Sequence, residues 1–185
     1  MPYITAGQFK GRRLVAPSTI RATEAKVRQA LFNILGSFIE DARVLDGFAG
    51  SGACGFEALS RGAAFVAFME SDAEAVVSIR DNLARFGVAL PREAWRVVHL
   101  EVERGLRELA RTEPPFEVVI FDPPYRTEEG KKALNALVDC AMLAPNGIVA
   151  VEHHQRTELP QGIGPLQQCK RHRYGDTVLS FYQAG

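Results

Sequence analysis

The chain has 185 residues, 46% hydrophobic and 24% charged, and its 22 basic and 22 acidic side chains cancel to a formal net charge of zero. These values fit one globular domain with a sizeable core, and they exclude a globally basic nucleic-acid binder while leaving room for a local cationic patch. No stretch approaches the roughly 18 apolar residues of a membrane span, and Met1-Pro2-Tyr3 begins no charged-then-apolar leader, so a cytoplasmic protein without a membrane partner is expected.

Residues 1 to 23 carry Lys10, Arg12, Arg13 and Arg21 and no acid, with Gly7 and Gly11 between them. A helix is predicted from Thr23, burying Val27, Leu31, Ile34 and Leu35 at helical spacing. Five short runs rich in β-branched or aromatic residues then read as buried strands: Arg43 to Asp46, Phe65 to Glu70, Arg96 to Leu100, Val118 to Asp122 and Ile148 to Glu152. Helical patterns lie between them. Val76, Ile79, Leu83 and Phe86 form one, capped by Asp72; Leu134, Leu137, Val138, Ala141 and Met142 form another, capped by Thr127. This alternation predicts an α/β fold, a mostly parallel sheet with helices on both faces whose ligands sit beyond the carboxyl ends of the strands. Asp46, Glu70 and Asp122 end three of those strands and would line that crevice. Lys170, Arg171 and Arg173 precede Gly175 and a strand-like TVLSFY near the end of the chain, and no repeat or linker divides the 185 residues.

Cys54, Cys140 and Cys169 are too scattered for a disulfide framework or a CxxC metal site, and none suits the thiolate attack that methylation at a ring carbon requires. All three are read as structural thiols. His153 and His154 are adjacent and lack a suitably spaced third ligand, so they are expected to be solvated or capping and no metal is expected.

The segment LDGFAGSGACG, residues 45 to 55, places Gly50, Gly52 and Gly55 at dinucleotide-binding spacing, with Glu70 positioned to take a ribose hydroxyl. Asp46 argues against a pyrophosphate, because a carboxylate beside a doubly charged group is repulsive. S-adenosylmethionine reverses that objection, since it carries a sulfonium and an ammonium and no phosphate. The second motif, Asp122-Pro123-Pro124-Tyr125, follows the apolar run EVVIFD. A nucleobase amine is a poor nucleophile while its lone pair is delocalised into the ring. Acceptors at the Asp122 carboxylate and the Pro123 carbonyl would hold the amine with its lone pair aimed at a methyl group. Two prolines fix φ and offer no competing N–H, and Tyr125 offers a face for the base to stack on, worth about 1–3 kcal/mol. Glu101 is placed either to accept from an adenine amine or to serve as a helix N-terminal acid.

With these motifs, the chain resembles the RsmD family, bacterial 16S ribosomal RNA guanine-N2 methyltransferases. ITAGQFKGRRL, IRATEAKVRQALFNIL, LDGFAGSGACGFEALSRGA, FDPPY and YGDTVLSFY occur in the family's order across nearly the whole length. The first two are specific to the family, whereas the glycine loop and Asp-Pro-Pro-Tyr occur in many amino-methyltransferases. Arg21-Ala22-Thr23 stands where the family usually has Arg-Pro-Thr, and Glu101 stands near a usual aspartate. The resemblance implies a Rossmann-like class I methyltransferase with a mostly parallel seven-stranded sheet. It implies one domain over residues 1–185, with residues 1–22 as a basic RNA-binding extension, and S-adenosylmethionine as donor. Asp46, Gly50, Gly52 and Glu70, with Phe48, Ser51, Ser71 and Glu101, would form the cofactor set. Asp122, Pro123, Pro124 and Tyr125 would hold the target base, and Lys10, Arg12, Arg13, Arg21, Thr23 and Arg28 the RNA. The implied partner is 16S rRNA in the small subunit or its assembly intermediate, met by a monomer. The alternatives are an amine methyltransferase for another RNA or for DNA adenine, a nicotinamide dehydrogenase, and a non-catalytic RNA-binding assembly factor.

Overall fold

In the computed structural model, residues 1–17, 25–124 and 128–184 are described. Arg21, Ala22, Thr23, Tyr125 and the expected cap Thr127 lie outside them. The elements run α1 (Ala25–Leu35), β1 (Arg43–Asp46), α2 (Ala53–Ser60), β2 (Phe65–Glu70), α3 (Ala73–Phe86), β3 (Trp95–His99), α4 (Val102–Thr112), β4 (Phe116–Phe121), α5 (Glu129–Asp139), β5 (Leu143–His154), β6 (Gly162–Ile163), β7 (Leu166–Tyr174) and β8 (Thr177–Ala184).

The strands form one sheet in the order β3-β2-β1-β4-β5-β8-β7-β6. Pairing is parallel from β3 through β5 and antiparallel beyond. The expected count of seven becomes eight through β6, a two-residue strand that pairs only with Leu166 and Gln167. Alternation along the strands divides the core into two layers. Val44, Phe68, Ile120 and Ala150 pack with α1, α2 and α3 on one face; Leu45, Met69, Phe121 and Val151 pack with α4 and α5 on the other. From β1 the chain winds outward to β2 and β3, then returns through α4 to β4 on the other side of β1. That reversal opens a crevice at the carboxyl ends of β1 and β4.

Asp72 caps α3 as its position suggests, its Oδ1 accepting from the Ala75 N–H at 2.9 Å. α5 is shorter than its apolar pattern, because Ala141 adopts φ 51 and leaves Ala141 and Met142 beyond the last turn. The basic amino-terminal segment is not a loose extension. Tyr3 bridges Arg13, the Leu14 N–H donates to Pro2 O at 2.9 Å, and Ile4, Phe9 and Leu14 are buried in the same cluster as α1, α2 and α3. This hairpin clamps the far end of α2, where Gly7 (φ +80) comes so close that a Cβ would lie 1.8 Å from Ser60 O.

Candidate active site

The crevice is a cavity of about 960 Å³ whose lining includes Asp46, Phe48, Gly50, Ser51, Glu70, Ser71, Glu101, Asp122, Pro123 and Pro124. The sheet edge therefore gathers part of the glycine loop, the first three residues of the second motif and most of the expected cofactor set. Gly52 lies outside the lining and works through the backbone: at φ 78 it begins α2 in the left-handed region that favours glycine. Gly55 serves packing, since a Cβ there would sit 2.2 Å from the Phe68 ring.

The two acids nearest the turn hold it in place. Glu70 Oε2 accepts from the Gly50 N–H at 2.7 Å, and its Oε1 accepts from the N–H groups of Ser71 and Asp72 at 2.7 and 2.8 Å. A carboxylate has about four acceptor sites, so Glu70 retains capacity for a ribose hydroxyl. Asp46 Oδ2 accepts from the Gly55 N–H at 2.8 Å in the first turn of α2. Burial pushes the Asp46 carboxyl up from 3.8 to about 7; the Gly55 N–H opposes the rise, the charges of Asp122 and Glu70 add to it, and Arg28 opposes it. Burial likewise holds the Cys54 thiol well above its ordinary value, with Asp46 and Asp122 adding to the effect. Cys54 is therefore a thiol and not a nucleophilic thiolate.

The lining answers the question of pyrophosphate or sulfonium. It carries eight carboxylates and one ammonium, Lys132, whose Nζ lies 3.1 Å from Glu129. The Gly50 N–H, which a phosphate would need, is already donated to Glu70. An acidic cavity with a glycine turn fits a cationic nucleoside and repels a polyphosphate. Phe48 also lines the cavity, set edge-on to Phe121 at 5.9 Å between centroids. Pro123 is buried against the first turn of α5, where Gly130 leaves space that a Cβ would fill 3.5 Å from the Pro123 ring. Glu101 precedes α4 without making a side-chain cap bond, and it remains exposed at the rim.

Lys10, Arg12 and Arg13 are exposed on the amino-terminal hairpin, with the Arg12 guanidinium over the rings of Phe9 and Phe86 at 5.2 and 4.9 Å. Arg28 requires correction as a phosphate contact. It is 1% exposed, donates to Tyr3 O at 2.5 Å and lies 3.7 Å from Glu57. Its position on the apolar stripe of α1 turns it inward to secure the hairpin. Glu57 is not evident from sequence. Fully buried, it accepts from the N–H groups of Thr5 and Ala6, the Thr5 hydroxyl and Arg61 Nε at 2.7 to 3.0 Å.

The expected solvation of His153 and His154 is corrected, because both are buried at 4% and 6% exposure, while His154 does cap the turn after β5, its Nδ1 accepting from the Arg156 N–H at 3.1 Å. His153 Nδ1 is 3.0 Å from His154 O and its Nε2 2.9 Å from Ser180 Oγ. The carbonyl can only accept, so Nδ1 carries the proton and Nε2 accepts from Ser180; burial lowers the pKa of His153 and favours this neutral form. Among the described residues, no group of three or more His, Cys, Asp or Glu could hold a metal ion, and no helix is long and apolar enough to cross a membrane. Glu152 reads from sequence only as a strand end. In the fold it is 6% exposed and lines the cavity.

The sheet order, the glycine turn and the acids at or just after the ends of β1, β2 and β4 define a Rossmann-like methyltransferase of the S-adenosylmethionine-dependent class. Comparison with known proteins narrows that class. The family model described as "Conserved hypothetical protein 95" matches residues 2–183. The chain is 34% identical to the "Putative rRNA methyltransferase YlbH" of Bacillus subtilis, covering 97% of each. It is 38% identical to the Ribosomal RNA small subunit methyltransferase D of Escherichia coli, covering 85% of this chain and 77% of the relative. Among solved structures, the "Putative methyltransferase yhhF" of Escherichia coli superposes with a TM-score of 0.84 at 34% identity, covering 98% of this chain and 97% of its own. The chain belongs to the RsmD family of ribosomal RNA small-subunit methyltransferases.

Proposed function

We propose that the protein methylates the exocyclic N2 amine of a guanine in 16S ribosomal RNA, using S-adenosylmethionine. The observation that carries this reading is the placement of Asp122-Pro123-Pro124 in the same cavity as the acid-braced glycine turn. The cofactor supplies an electrophilic methyl on a sulfonium and departs as the neutral thioether. Asp46 provides negative charge for that cation, and Glu70 provides acceptor capacity for its ribose. On the other side, the Asp122 carboxylate and the Pro123 carbonyl accept the amine's two hydrogens, which draws the nitrogen lone pair out of conjugation. As the carbon–nitrogen bond forms the amine gives up one proton, and Asp122 is the carboxylate bonded to it. Tyr125 is assigned to stack on the base. Positioning and water exclusion supply the remaining rate enhancement, because displacement at a sulfonium requires no covalent intermediate on the enzyme.

RNA is gripped by Lys10, Arg12 and Arg13 on the amino-terminal hairpin, with Arg21 and Thr23 in the same basic segment. These contacts address phosphates and splay the target base toward Asp122. The partner is the small-subunit RNA, alone or in a particle. The test is methyl transfer to small subunits from a strain lacking the gene, followed by nuclease digestion and mass spectrometry. N2-methylguanosine at one mapped position is expected. Methylation of any other nucleoside, or none with cofactor bound normally, would overturn the reading.

A further inference from the structure

Four acids stand in a row across the sheet: Glu70 on β2, Asp46 on β1, Asp122 just after β4 and Glu152 on β5, in the spatial order β2-β1-β4-β5. Each lies two residues beyond a side chain of the α1-α2-α3 layer, namely Phe68, Val44, Ile120 and Ala150. The pleat therefore turns all four to one face, and all four line the cavity. The first two brace the glycine turn through the N–H groups of Gly50 and Gly55. Asp122 takes the amine. Glu152 lies on the side of Asp122 away from the glycine turn; Phe121 is in register with Val151, so Glu152 is the cross-strand neighbour of Asp122. The methyl transfer described above makes no use of it.

We infer that Glu152 selects guanine, accepting the ring N1–H while the adjacent 2-amine is held by Asp122; this rests on the guanine-N2 reading. Guanine is the base whose Watson–Crick edge offers an amine and a ring N–H side by side, both as donors. Adenine and cytosine place their amine beside a ring nitrogen that is an acceptor. Neighbouring strands are about 4.8 Å apart, a stride that two splayed hydrogen bonds of about 2.9 Å can close onto the ring N1 and the neighbouring exocyclic 2-amine. A half-buried Asp122 and a buried Glu152 side by side form an acceptor-only surface. Against adenine or cytosine, Glu152 would face a lone pair, and the mismatch would be desolvated with no water to relieve it.

The experiment uses the full-length protein, S-adenosylmethionine and small-subunit RNA carrying either guanosine or 2-aminopurine riboside at the mapped target. The analogue keeps the 2-amine and has an acceptor at N1. Wild type should prefer guanosine in kcat/KM by at least about tenfold, the size of one good donor–acceptor match. Glu152→Gln should lose about tenfold or more on guanosine and bring the two substrates within about threefold, since its amide can donate to the analogue's N1. Glu152→Asp, which keeps the carboxylate, should slow the reaction and keep the preference. A preference unchanged in Glu152→Gln overturns the assignment, whatever happens to the absolute rate, because a purely structural role would lower both substrates alike. If the Gln variant does not fold, equal use of both substrates by wild type overturns it. If wild type methylates no guanine in subunit RNA, the parent reading has failed instead.

Discussion

Asp46→Asn should make the cofactor-free protein more stable and its hold on S-adenosylmethionine weaker. Burial raises the Asp46 carboxyl from 3.8 to about 7. At about 1.4 kcal/mol for each pH unit, the folded state gives up on the order of 4 kcal/mol when this group is ionised. The folded state binds the proton more tightly than the unfolded chain. The group's contribution is therefore full below pH 4 and is lost as pH rises from about 4 to about 7. Asparagine keeps an oxygen for the Gly55 N–H and removes the charge from beside Asp122 and Glu70. Urea unfolding of wild type and variant from pH 5 to pH 8.5 should give curves that diverge with rising pH, the variant ahead by a few kcal/mol at the alkaline end. A cationic cofactor should pull the wild-type carboxyl back down, so calorimetry near pH 7 in buffers of different ionisation enthalpy should detect proton release that the variant lacks. Parallel stability curves, or equal cofactor affinity and proton release, would refute the reasoning.

Asp122→Asn should retain cofactor binding by calorimetry and lose about 100-fold or more in kcat, the scale of a positioned proton acceptor; loss of cofactor binding with kcat preserved would reverse the roles given to Asp46 and Asp122. Gly55→Ala forces a methyl to 2.2 Å from the buried Phe68 ring. It should cost roughly 1–3 kcal/mol as overpacking, visible as a lower melting temperature, and an unchanged one would contradict the packing. Arg12→Ala with Arg13→Ala should weaken RNA binding and flatten its logarithmic salt dependence by about 0.7 to 0.9 for each phosphate no longer neutralised. Filter binding over a salt series measures this, and an unaltered slope would remove the hairpin from the RNA interface.

The parts of the fold that follow local rules are legible in the sequence. β1, β2, β4 and the second half of β5 read as apolar runs because both faces are covered, β3 at the sheet edge is half-buried and still carries Val97 and Val98, and Asp72 caps α3 through a bond three residues away. β7 escapes because it is solvated on both faces over most of its length, so LQQCKRHRY has no apolar alternation to follow. The first residues of β5 escape because Pro145, Asn146 and Gly147 read as a turn; Asn146 does take φ 63, and pairing with β4 shifts register between Phe116 and Val118. In the site, the motifs gather at one edge because Asp46 and Glu70 end β1 and β2, Asp122 comes one residue after β4, and Gly50 lies in the turn after β1. Arg28 misleads and Glu57 stays hidden for one reason: their partners, Tyr3, Thr5 and Ala6, come from a hairpin more than twenty residues upstream. Long-range ionic burial leaves no periodic signal.

The helix α2 ties two ends of the molecule together. Its first turn is bound to the cofactor side of the cavity through Gly55 and Asp46, and its last residues, Glu57 and Ser60, anchor the hairpin that carries Lys10, Arg12 and Arg13. Eight helical residues span about 12 Å, so a rigid rod separates the donor pocket from the arm assigned to the phosphates. With that reading of the hairpin, α2 acts as a ruler: the methylated nucleotide must stand at a fixed offset from the backbone that the arm grips. On that reading, RNA whose backbone meets that measure presents its base, and the fold of the ribosomal RNA would take part in choosing the target.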